Sequence, residues 1–575
     1  MKKLLAMLLA VLMIVTLFAG CADGTSDQSS ESKTESSKPA EDKKDDEAAE
    51  DEEPVEDNLP GPAYTGSKDP ITFKLLMGQW TTWDEPMTAD PLGQWLIEKT
   101  GVTIEAELIT GEAEEKYALV LATKDYPDFA AWPGDAMALQ YIAEGAFVAY
   151  DEYLDKLPNV VSRYGDLIGG LYDIDTQHLY RISQWSMGNS FSLQQGLNLR
   201  SDVMKEAFGE NSLLEAGWHT LSEYEDAMVK WKEENPTNAD GATTYPFTTK
   251  GVDFLVIFSQ LWGIAPFYDT DDEIGVGYYY THPDMEEVLA TLNRWYNEGI
   301  LDPEFAINKK ENMQSKLSTG ISIASVYHHS ELTEVNKALS EQDPDLFIYS
   351  HPQIHADGYE PLYQKYSPIG SGGLVTFTTC QDLDRALDWI NYMNDAEVMF
   401  YLCNGLPGEE GFWSYDDNGM VVLNEENIKG TPELWDRFRA VGGYKYIWML
   451  SEGTDTRFPA YEGDYFAPIH GQISEIKIEE YGRYHFWDPE VDNLYTMDQF
   501  QGIEPSPDTE EGIIKTEIDD VWTYALPEII MAKDEATARQ LFQDMVEEME
   551  DLGLSKWLSV VAPKYEVKKE ILGIE

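Results

Sequence analysis

Two short stretches decide the fold class of this chain: Ile71-Thr-Phe-Lys-Leu-Leu-Met77 and Val102-Thr-Ile-Glu-Ala-Glu-Leu108. In both, apolar residues recur at alternate positions, which is the period of a β-strand with one buried face. Residues 92–99 between them have the pattern of a short helix, and Gly101 stands just past its expected end. This strand–helix–strand order predicts an α/β fold with largely parallel sheets.

Four further helices are predicted from their caps and from apolar residues at helical spacing. Thr220 and Glu223 form a capping box at the start of the first. The second begins at Pro283, the third begins near Asp382, and the fourth ends at Gly553. Their expected inner faces are Leu221, Tyr224, Ala227, Met228 and Trp231; Met285, Val288, Leu289, Leu292, Trp295 and Tyr296; Leu383, Leu387 and Ile390; and Leu541, Met545, Met549 and Leu552.

The first 20 residues have the pattern of a secretory signal peptide. Lys2 and Lys3 precede an apolar run that ends in small residues. The stretch Leu17-Phe-Ala-Gly-Cys21 is similar to a bacterial lipobox, in which the cysteine is lipidated and the preceding peptide is removed. We therefore expect a lipoprotein that is anchored through Cys21 at the extracellular face of a bacterial cell membrane.

A strongly acidic segment follows, and the whole chain is acidic. Residues 22–68 are rich in Ser, Glu, Asp, Lys and Pro, a composition that does not bury enough apolar surface to offset its ordering entropy. We expect a disordered tether there. The 575 residues include 106 acidic and 40 basic ones, for a net charge of −66. Such a field repels nucleic acid and anionic lipid, and it favours neutral ligands.

The chain from residue 69 onward is longer than one hydrophobic core usually organises, so two lobes are expected. Besides Cys21 the chain has only Cys380 and Cys403, too few for a disulfide framework, and the sequence leaves open whether they pair. The adjacent His328 and His329 have no partners at metal-ligand spacing. No zinc site is therefore predicted.

Seven short motifs follow one another along the chain. They are Lys99-Thr-Gly-Val-Thr103, Ala122-Thr-Lys-Asp-Tyr-Pro-Asp128, Gly145-Ala-Phe-Val-Ala-Tyr-Asp-Glu152, Leu199-Arg-Ser-Asp-Val203, Leu292-Asn-Arg-Trp-Tyr-Asn-Glu-Gly-Ile-Leu-Asp-Pro303, Asn404-Gly-Leu-Pro-Gly-Glu-Glu-Gly411 and Leu552-Gly-Leu554. In this order they resemble motifs of the family 1 extracellular solute-binding proteins, specifically the lipid-anchored sugar-binding branch. Each motif alone is weak evidence, and the shared order carries the likeness.

The resemblance implies a two-lobed periplasmic-binding-protein-like α/β fold, in which hinge segments join the lobes and the solute lies in the cleft. The expected divisions are a signal peptide at 1–20, a tether at 21–68, a first lobe at 69–185 with 371–455, and a second lobe at 186–370 with 456–575, with hinge crossings near 182–196, 368–378 and 451–460. The implied protein is a monomer without enzymatic activity or cofactor. It captures an oligosaccharide and delivers it to the permease subunits of an ABC importer.

One stretch departs from the family's pattern. Relatives often have a calcium loop that reads Asp-Pro-Asp-Gly-Asn-Gly-x-x-Asp-Glu-x-Pro, where this chain has Asn235-Pro-Thr-Asn-Ala-Asp-Gly-Ala-Thr-Thr-Tyr-Pro246. Thr237, Thr243 and Thr244 replace three carboxylates of that pattern. Because calcium prefers several charged oxygen ligands, we expect no tight calcium site here.

The candidate binding residues follow from the chemistry of sugars. A sugar ring has apolar C–H faces and hydroxyl edges, so its site needs flat aromatic rings beside amide and carboxylate groups. The chain has 16 Trp and 33 Tyr, and binding residues occur preferentially on loops. The predicted ligand-binding residues are Trp80, Trp83, Asp84, Asp128, Trp132, Trp262, Tyr327, His328, Trp413, Arg457 and Tyr461, with Glu85 as a further hydroxyl partner.

Two other functions stay open at this point. A binding protein for a peptide or another non-sugar solute fits the same fold. A secreted glycoside hydrolase would also combine aromatic rings with a pair of carboxylates. Against the hydrolase, the sequence has no nucleophile elbow, no histidine triad and no zinc motif.

Overall fold

In the computed structural model of the chain, the two alternating stretches form β1 (Ile71–Gly78) and β2 (Val102–Ile109), which pair in parallel. Helix α1 (Pro91–Thr100) connects them, and the Asp90 side chain caps its first turn. Gly101 ends the helix at a φ of 70°, a conformation that favours glycine. The predicted strand–helix–strand unit is confirmed.

The structure describes residues 59–78, 85–184, 195–209, 218–351, 354–365, 367, 369–408, 411–428, 434–443, 445–446, 458–462 and 494–574. Within this part of the chain, no helix is long and apolar enough to cross a membrane. Five of the residues with predicted roles lie outside it: Cys21, Trp80, Trp83, Asp84 and Arg457. Their roles stay predictions.

The other elements take their labels in chain order. The strands are β3 (Phe129–Ala131), β4 (Ile182–Gln184), β5 (Gln195–Arg200), β6 (His219–Thr220), β7 (Phe267–Asp269), β8 (Val276–Tyr278), β9 (Ala324–His328), β10 (Ile348–His351), β11 (Ile354–His355), β12 (Tyr363–Lys365), β13 (Ser371–Thr376), β14 (Trp413–Tyr415), β15 (Val421–Leu423) and β16 (Leu494–Thr496). The helices are α2 (Ala113–Thr123), α3 (Asp135–Ala143), α4 (Pro158–Tyr164), α5 (Ser201–Phe208), α6 (Leu221–Glu234), α7 (Leu255–Phe258), α8 (Met285–Asn297), α9 (Lys310–Ser318), α10 (Thr333–Gln342), α11 (Leu383–Met393), α12 (Ala396–Asn404), α13 (Glu425–Ile428), α14 (Leu434–Ala440), α15 (Glu510–Ile530), α16 (Glu535–Leu552) and α17 (Leu554–Leu572).

The two larger sheets differ in strand direction. The five-stranded sheet has the order β2-β1-β3-β13-β4, in which β1 is parallel to β2 and β3 while β13 is antiparallel to β3 and β4. The three-stranded sheet, β10-β5-β9, is wholly antiparallel. The prediction of largely parallel sheets is therefore wrong. The strand–helix–strand order correctly predicts the parallel β1–β2 pair, but it carries no information about strands such as β13, which joins the sheet from a distant part of the chain.

Two main hydrophobic cores underlie the two-lobed α/β fold, and each is built from separate parts of the chain. The first-lobe core contains buried residues from 64–182 and 369–458, and the second-lobe core contains buried residues from 197–363 and 495–565. Phe458 and Tyr461 pack against Phe400 of the first-lobe core, at ring-centroid distances of 5.0 and 5.7 Å. Residues 458 and 461 therefore pack with the first lobe, and the predicted lobe divisions and crossings stay predictions.

Three of the four predicted helices have the expected cap or end, and the helix predicted to begin at Pro283, α8, begins two residues later at Met285. At the start of α6, the hydroxyl of Thr220 accepts a hydrogen bond from the Glu223 amide at 3.2 Å. The Glu223 carboxylate accepts one from the Thr220 amide at 2.9 Å, which completes the capping box. All five predicted inner residues of α6 are buried. Asp382 caps α11, and Gly553 ends α16 at a φ of 110°. Local sequence rules therefore place these helices correctly.

The last part of the predicted tether is docked on the first lobe. Backbone carbonyls of residues 59, 60 and 62 accept hydrogen bonds from Lys99, Trp95 and Tyr392, at 3.1, 3.0 and 3.1 Å. Tyr64 is buried and packs edge-on against Tyr392, with ring centroids 5.3 Å apart. Residues 59–64 supply apolar surface that the preceding acidic stretch lacks, so the folded body begins earlier than the predicted residue 69.

Candidate ligand site

A pocket opens where the two lobes meet, and its walls come from both. The first lobe contributes the start of α3, the turn at 170–173 and the residues before β4, and the second contributes residues 501–502 and α17. In this arrangement of the lobes the pocket is small, with a volume of about 40 Å³. The lining residues are Trp132, Asp135, Ala138, Leu139, Ile142, Gly170, Leu171, Tyr172, Asp173, Tyr180, Arg181, Gln501, Gly502 and Lys568. We refer to it as the interlobe pocket.

Trp132 is the predicted binding residue that lines this pocket, and its ring is held in a fixed orientation. It directly follows β3 and is half-buried. Its indole Nε1 donates a hydrogen bond to Asp135 Oδ1 at 2.8 Å. The guanidinium of Arg181 lies over the ring, 4.8 Å from the centroid, and Phe147 packs at 6.2 Å. A ring fixed in this way is ready to stack on a ligand without losing side-chain entropy.

The polar groups around Trp132 connect the two lobes. Asp135 Oδ2 accepts a hydrogen bond from the Gly502 amide at 3.2 Å, and Arg181 donates one to the side-chain oxygen of Gln501. The side-chain Nε2 of Gln501 donates a hydrogen bond to the Gly370 carbonyl at 3.4 Å. A solute that enters the pocket would therefore contact both lobes at once, as a ligand that controls hinge closure must do.

Lys568 of α17 is a buried ammonium at the wall of the pocket. Its side chain is 3% exposed, and its Nζ donates a hydrogen bond to the Gly170 carbonyl at 2.6 Å. Desolvation by burial, and secondarily the nearby charge of Arg181, lower the pKa of Lys568 to about 8. Asp135, Asp498 and Asp173 oppose this shift. The ammonium is charged at neutral pH, although its surroundings compensate that charge poorly.

Asp128, predicted as a hydroxyl partner, holds sheet elements together. It is buried, and Oδ2 accepts hydrogen bonds from the Lys74 amide at 2.8 Å and from Gln381 Nε2 at 3.2 Å. Its Oδ1 accepts one from the Gln381 amide at 3.0 Å. These bonds tie β1, the start of β3 and the segment after β13 to one another. With its lone pairs used in this way, the carboxylate has a structural role that speaks against ligand binding.

Trp413 and Tyr461 come together in the core of the first lobe, away from the interlobe pocket. The Trp413 side chain is 0% exposed, and its Nε1 donates to the Gly405 carbonyl at 3.0 Å. Phe400 packs against both rings, at 4.9 Å from Trp413 and 5.7 Å from Tyr461. Trp413 has no ring face open to a solute, and this burial speaks against the predicted stacking role. Tyr461 is only partly buried, although it packs on the same cluster.

Trp262 and Tyr327 belong to the core of the second lobe. Trp262 is 5% exposed and packs against Phe258 at 5.3 Å. The hydroxyl of Tyr327 accepts a hydrogen bond from the Lys250 amide at 3.0 Å, and the Lys250 ammonium lies 4.8 Å from the ring centroid. Both rings are therefore occupied by protein neighbours. For His328 the structure describes only the backbone, which pairs with Gln195 across β5 and β9.

Sequence reasoning missed the polar groups of the pocket: Asp135, Arg181, Gln501 and Lys568. Asp135 could have been found from the sequence, because it is a carboxylate at the start of α3 and lies only three residues after the candidate Trp132. Arg181 had no local signal, because it is an isolated basic residue before a three-residue strand. Gln501 and Lys568 lie hundreds of residues further along the chain and reach the pocket only through the packing of the second lobe against the first.

The stretch predicted to have lost a calcium site forms a tight loop closed by its own hydrogen bonds. The side-chain oxygen of Asn238 accepts hydrogen bonds from the amides of Asp240 and Ala242, at 3.1 and 2.9 Å. The Thr244 hydroxyl donates to the Asn235 carbonyl at 2.5 Å. Among the described residues, no group of three or more His, Cys, Asp or Glu side chains could hold a metal ion. Cys380 is a free thiol in the structure, so no disulfide joins it to Cys403.

No protein-family model matches the chain, and no curated protein matches it in sequence. Solved structures do match. The HMO-binding, ABC-transporter-associated solute-binding protein of Bifidobacterium longum infantis has 15% sequence identity and a TM-score of 0.61, over 88% of this chain and 100% of that one. The ABC-transporter substrate-binding protein FusA of S. pneumoniae, in complex with kestose, has 15% identity and a TM-score of 0.59, over 87% and 100%. The alginate-binding protein AlgQ2 without calcium ion has 16% identity and a TM-score of 0.57, over 87% and 99%.

The chain has the fold of ABC-transporter solute-binding proteins. The match spans nearly the whole length of each of these neighbours and leaves only about an eighth of this chain uncovered. This confirms the predicted two-lobed α/β fold. In a fold of this kind, a pocket between the lobes that is lined by residues of both is the natural candidate for the ligand site.

Proposed function

We propose that the chain is an extracellular solute-binding protein that captures an oligosaccharide and delivers it to the permease subunits of an ABC importer. The observation that carries this proposal is the interlobe pocket, where the half-exposed ring of Trp132 stands beside polar groups from both lobes. A flat aromatic face next to hydrogen-bonding groups suits the apolar face and hydroxyl edge of a sugar ring. Three structural neighbours support the sugar class, because their names state HMO, kestose and alginate as ligands.

Binding would act through the contacts that now join the lobes. Asp135 accepts from Gly502, and Arg181 donates to Gln501, so these hydrogen bonds cross from one lobe to the other. Sugar hydroxyls that bond to Asp135 and Arg181 would replace some of these contacts. The lobe arrangement that gives the ligand the most contacts would then be the more populated one. The permease subunits of the importer could then distinguish the ligand-bound protein from the ligand-free one by its lobe arrangement.

The anchor and the lobe divisions belong to the same proposal. We infer that Cys21 is lipidated and that residues 22–58 form the acidic tether, which ends where residues 59–64 dock on the first lobe. The first lobe comprises residues 69–185 with 371–455, and the second comprises 186–370 with 456–575, apart from residues 458–461, which pack with the first. The protein acts as a monomer and catalyses no reaction.

The test is a thermal-shift screen of the purified protein against neutral and acidic oligosaccharides, followed by isothermal titration calorimetry. A sugar at a hundredfold excess over its Kd should stabilise the protein by about 2.7 kcal/mol. Chromatography of the sugar after incubation should show it intact, whereas cleavage products would indicate a glycoside hydrolase. Stabilisation by peptides alone, with no response to any sugar, would favour the non-sugar alternative.

Anchoring is tested by the Cys21→Ala variant expressed in the native host or a related bacterium. It should remain unprocessed or leave the cell envelope, because the proposed lipid is attached at Cys21. Labelling with a fatty-acid probe should mark the wild type and miss the variant. A variant that is still processed, and still fractionates with membranes in high salt, would show that the anchor is not Cys21.

A further inference from the structure

Two buried cations, Arg181 and Lys568, and two carboxylates, Asp135 and Asp173, line the interlobe pocket of a chain whose net charge is −66. Arg181 Nη1 lies 3.9 Å from Asp135 Oδ1. Arg181 is 7% exposed and Lys568 is 3% exposed. The lysines on either side of Lys568 in α17 have acidic partners: Lys564 pairs with Asp175 at 2.6 Å, and Lys569 pairs with Asp269 at 3.1 Å. Within the described residues, Lys568 forms no ion pair, although it is the most buried of the three.

Lys568 also retains unused hydrogen-bonding capacity. An ammonium has three N–H donors. In the part of the chain that the structure describes, its one hydrogen bond is to the Gly170 carbonyl, at 2.6 Å. Burying a charge is costly unless it is paired and hydrogen-bonded. Because the Lys568 ammonium lies at the pocket wall, a hydrogen-bond acceptor on a ligand in the pocket would stabilise it.

The carboxylates nearby are already used by other donors. Asp135 accepts from the indole of Trp132 and the amide of Gly502, at 2.8 and 3.2 Å. Asp173 Oδ1 accepts from both the amide and the hydroxyl of Thr176, each at 2.7 Å. The buried Asp498 accepts hydrogen bonds from the hydroxyl of Ser367 and the side-chain amide of Gln501. Their field reaches Lys568, but none of them is hydrogen-bonded to it.

We propose that the interlobe pocket binds the carboxylate of an acidic sugar between Arg181 and Lys568, so that the cargo is a uronate-type acidic oligosaccharide. This inference rests on the proposed function and narrows its substrate class. A carboxylate supplies both the acceptor and the countercharge that the ammonium lacks, and charge-assisted hydrogen bonds of this type are strong. The ring of the same sugar unit stacks on Trp132, whose own contacts leave part of the ring exposed.

The acidic surface of the chain does not exclude an acidic ligand. At physiological ionic strength, exposed charges farther than about 8 Å away are largely screened, whereas buried pairs are screened much less. Arg181 and Lys568 are more deeply buried than Asp135 and Asp173, the two carboxylates that also line the pocket, so the charges of the two cations are screened less. The expectation of neutral ligands follows from the charge of the whole chain, whereas the inference of an acidic ligand rests on Lys568, which forms no ion pair with the described residues.

The test compares sugars that differ only at C6. Matched pairs are β-1,4-mannotriose with β-1,4-trimannuronate, α-1,4-galactotriose with α-1,4-trigalacturonate, and cellotriose with β-1,4-triglucuronate. Titration calorimetry of the full chain at pH 7 and physiological salt should show, for the best-binding pair, at least tenfold tighter binding of the acidic member. Acetate at the same carboxylate concentration should not bind, since a free anion lacks the ring that stacks on Trp132.

Variants assign the effect to the pocket. Lys568→Met should bring the acidic and neutral members of the pair to within threefold of each other, and Lys568→Arg, which restores the charge, should recover the preference. The matched control is Lys556→Met on the same helix, where an exposed lysine pairs with Glu510 at 2.7 Å; it should keep the wild-type preference. The wild-type ratio of the two affinities is decisive even if Lys568→Met fails to fold.

The outcomes distinguish failure of the acidic-sugar inference from failure of the proposed oligosaccharide-binding function. A neutral sugar that binds as tightly as its acidic partner would overturn the acidic class and leave the sugar-binding function standing. Acetate that stabilises the protein as much as the uronate would show a site for free anions. Failure of both members of every pair to bind, together with binding of a peptide, would remove the proposed function and this inference with it.

Discussion

Trp132 and Trp413 have the same sequence signal and opposite surroundings. Each lies at one end of a three-residue strand: Trp132 directly follows β3, and Trp413 is the first residue of β14. Trp413 is completely buried and donates its indole proton to a backbone carbonyl. Trp132 is half-buried, donates to the carboxylate of Asp135 and lies under the guanidinium of Arg181. A loop position identifies an aromatic residue as a candidate, and its exposure and the charges around it decide between core and site.

Asp128 and Asp135 show the same contrast between a structural residue and a pocket residue, here for two carboxylates. Asp128 is 7% exposed, and its partners lie on strands and connections of a single lobe. The Asp135 side chain is 42% exposed, and it accepts a hydrogen bond from the other lobe through Gly502. Only seven positions separate the two residues in the chain. The comparison predicts that substitutions at Trp413 and Asp128 change stability, whereas substitutions at Trp132 and Asp135 change binding.

The largest expected effect is on stability, in Trp413→Ala. Removing a fully buried tryptophan leaves a cavity among Phe400, Tyr401 and Tyr415, and should lower the free energy of unfolding by about 3–5 kcal/mol. Urea denaturation measures it. The matched control is Trp218→Ala, where a tryptophan 43% exposed should cost much less. The folded fraction of the Trp413 variant should bind sugar with wild-type affinity. Near-normal stability combined with lost binding would reverse the assignment of Trp413.

A smaller loss of stability is expected in Asp128→Ala. The substitution leaves the amides of Lys74 and Gln381 without the acceptors of two part-buried hydrogen bonds, at a cost of about 1–3 kcal/mol. Asp125→Ala, three residues earlier at an exposed position, should change the free energy of unfolding by less than about 0.5 kcal/mol. If Asp128→Ala instead weakens sugar binding at unchanged stability, the carboxylate belongs to the site after all.

The smallest expected effect is that of metal removal. Three threonines replace carboxylates in the loop at 235–246, and Asn238 already accepts two backbone hydrogen bonds within it. A calcium chelator should therefore leave the melting temperature and the sugar affinity unchanged in differential scanning calorimetry and titration. A fall of several degrees that calcium reverses would reveal a metal site that the composition of this loop does not predict.

The fold was largely predictable from the sequence, and the site was not. Caps, inner faces and the first two strands depend on residues within one or two turns of each other, as with Thr220 and Glu223. Strand direction depends on topology, so the antiparallel β10-β5-β9 sheet was missed. The pocket joins Trp132 and Arg181 to Gln501 and Lys568, which are brought together only by tertiary packing. Candidate rings such as Trp262 could be separated from Trp132 only through their burial.

The measurement that tests the account most directly is titration calorimetry of Trp132→Ala with the tightest sugar of the panel. Loss of the exposed aromatic face should cost about 1–3 kcal/mol of binding free energy, a roughly five- to hundredfold rise in Kd. Since the Trp132 ring is only half-buried, most of its loss should appear in binding, and the urea midpoint should stay close to the wild-type value. An unchanged Kd in a normally folded Trp132→Ala protein would contradict the placement of the ligand in the interlobe pocket.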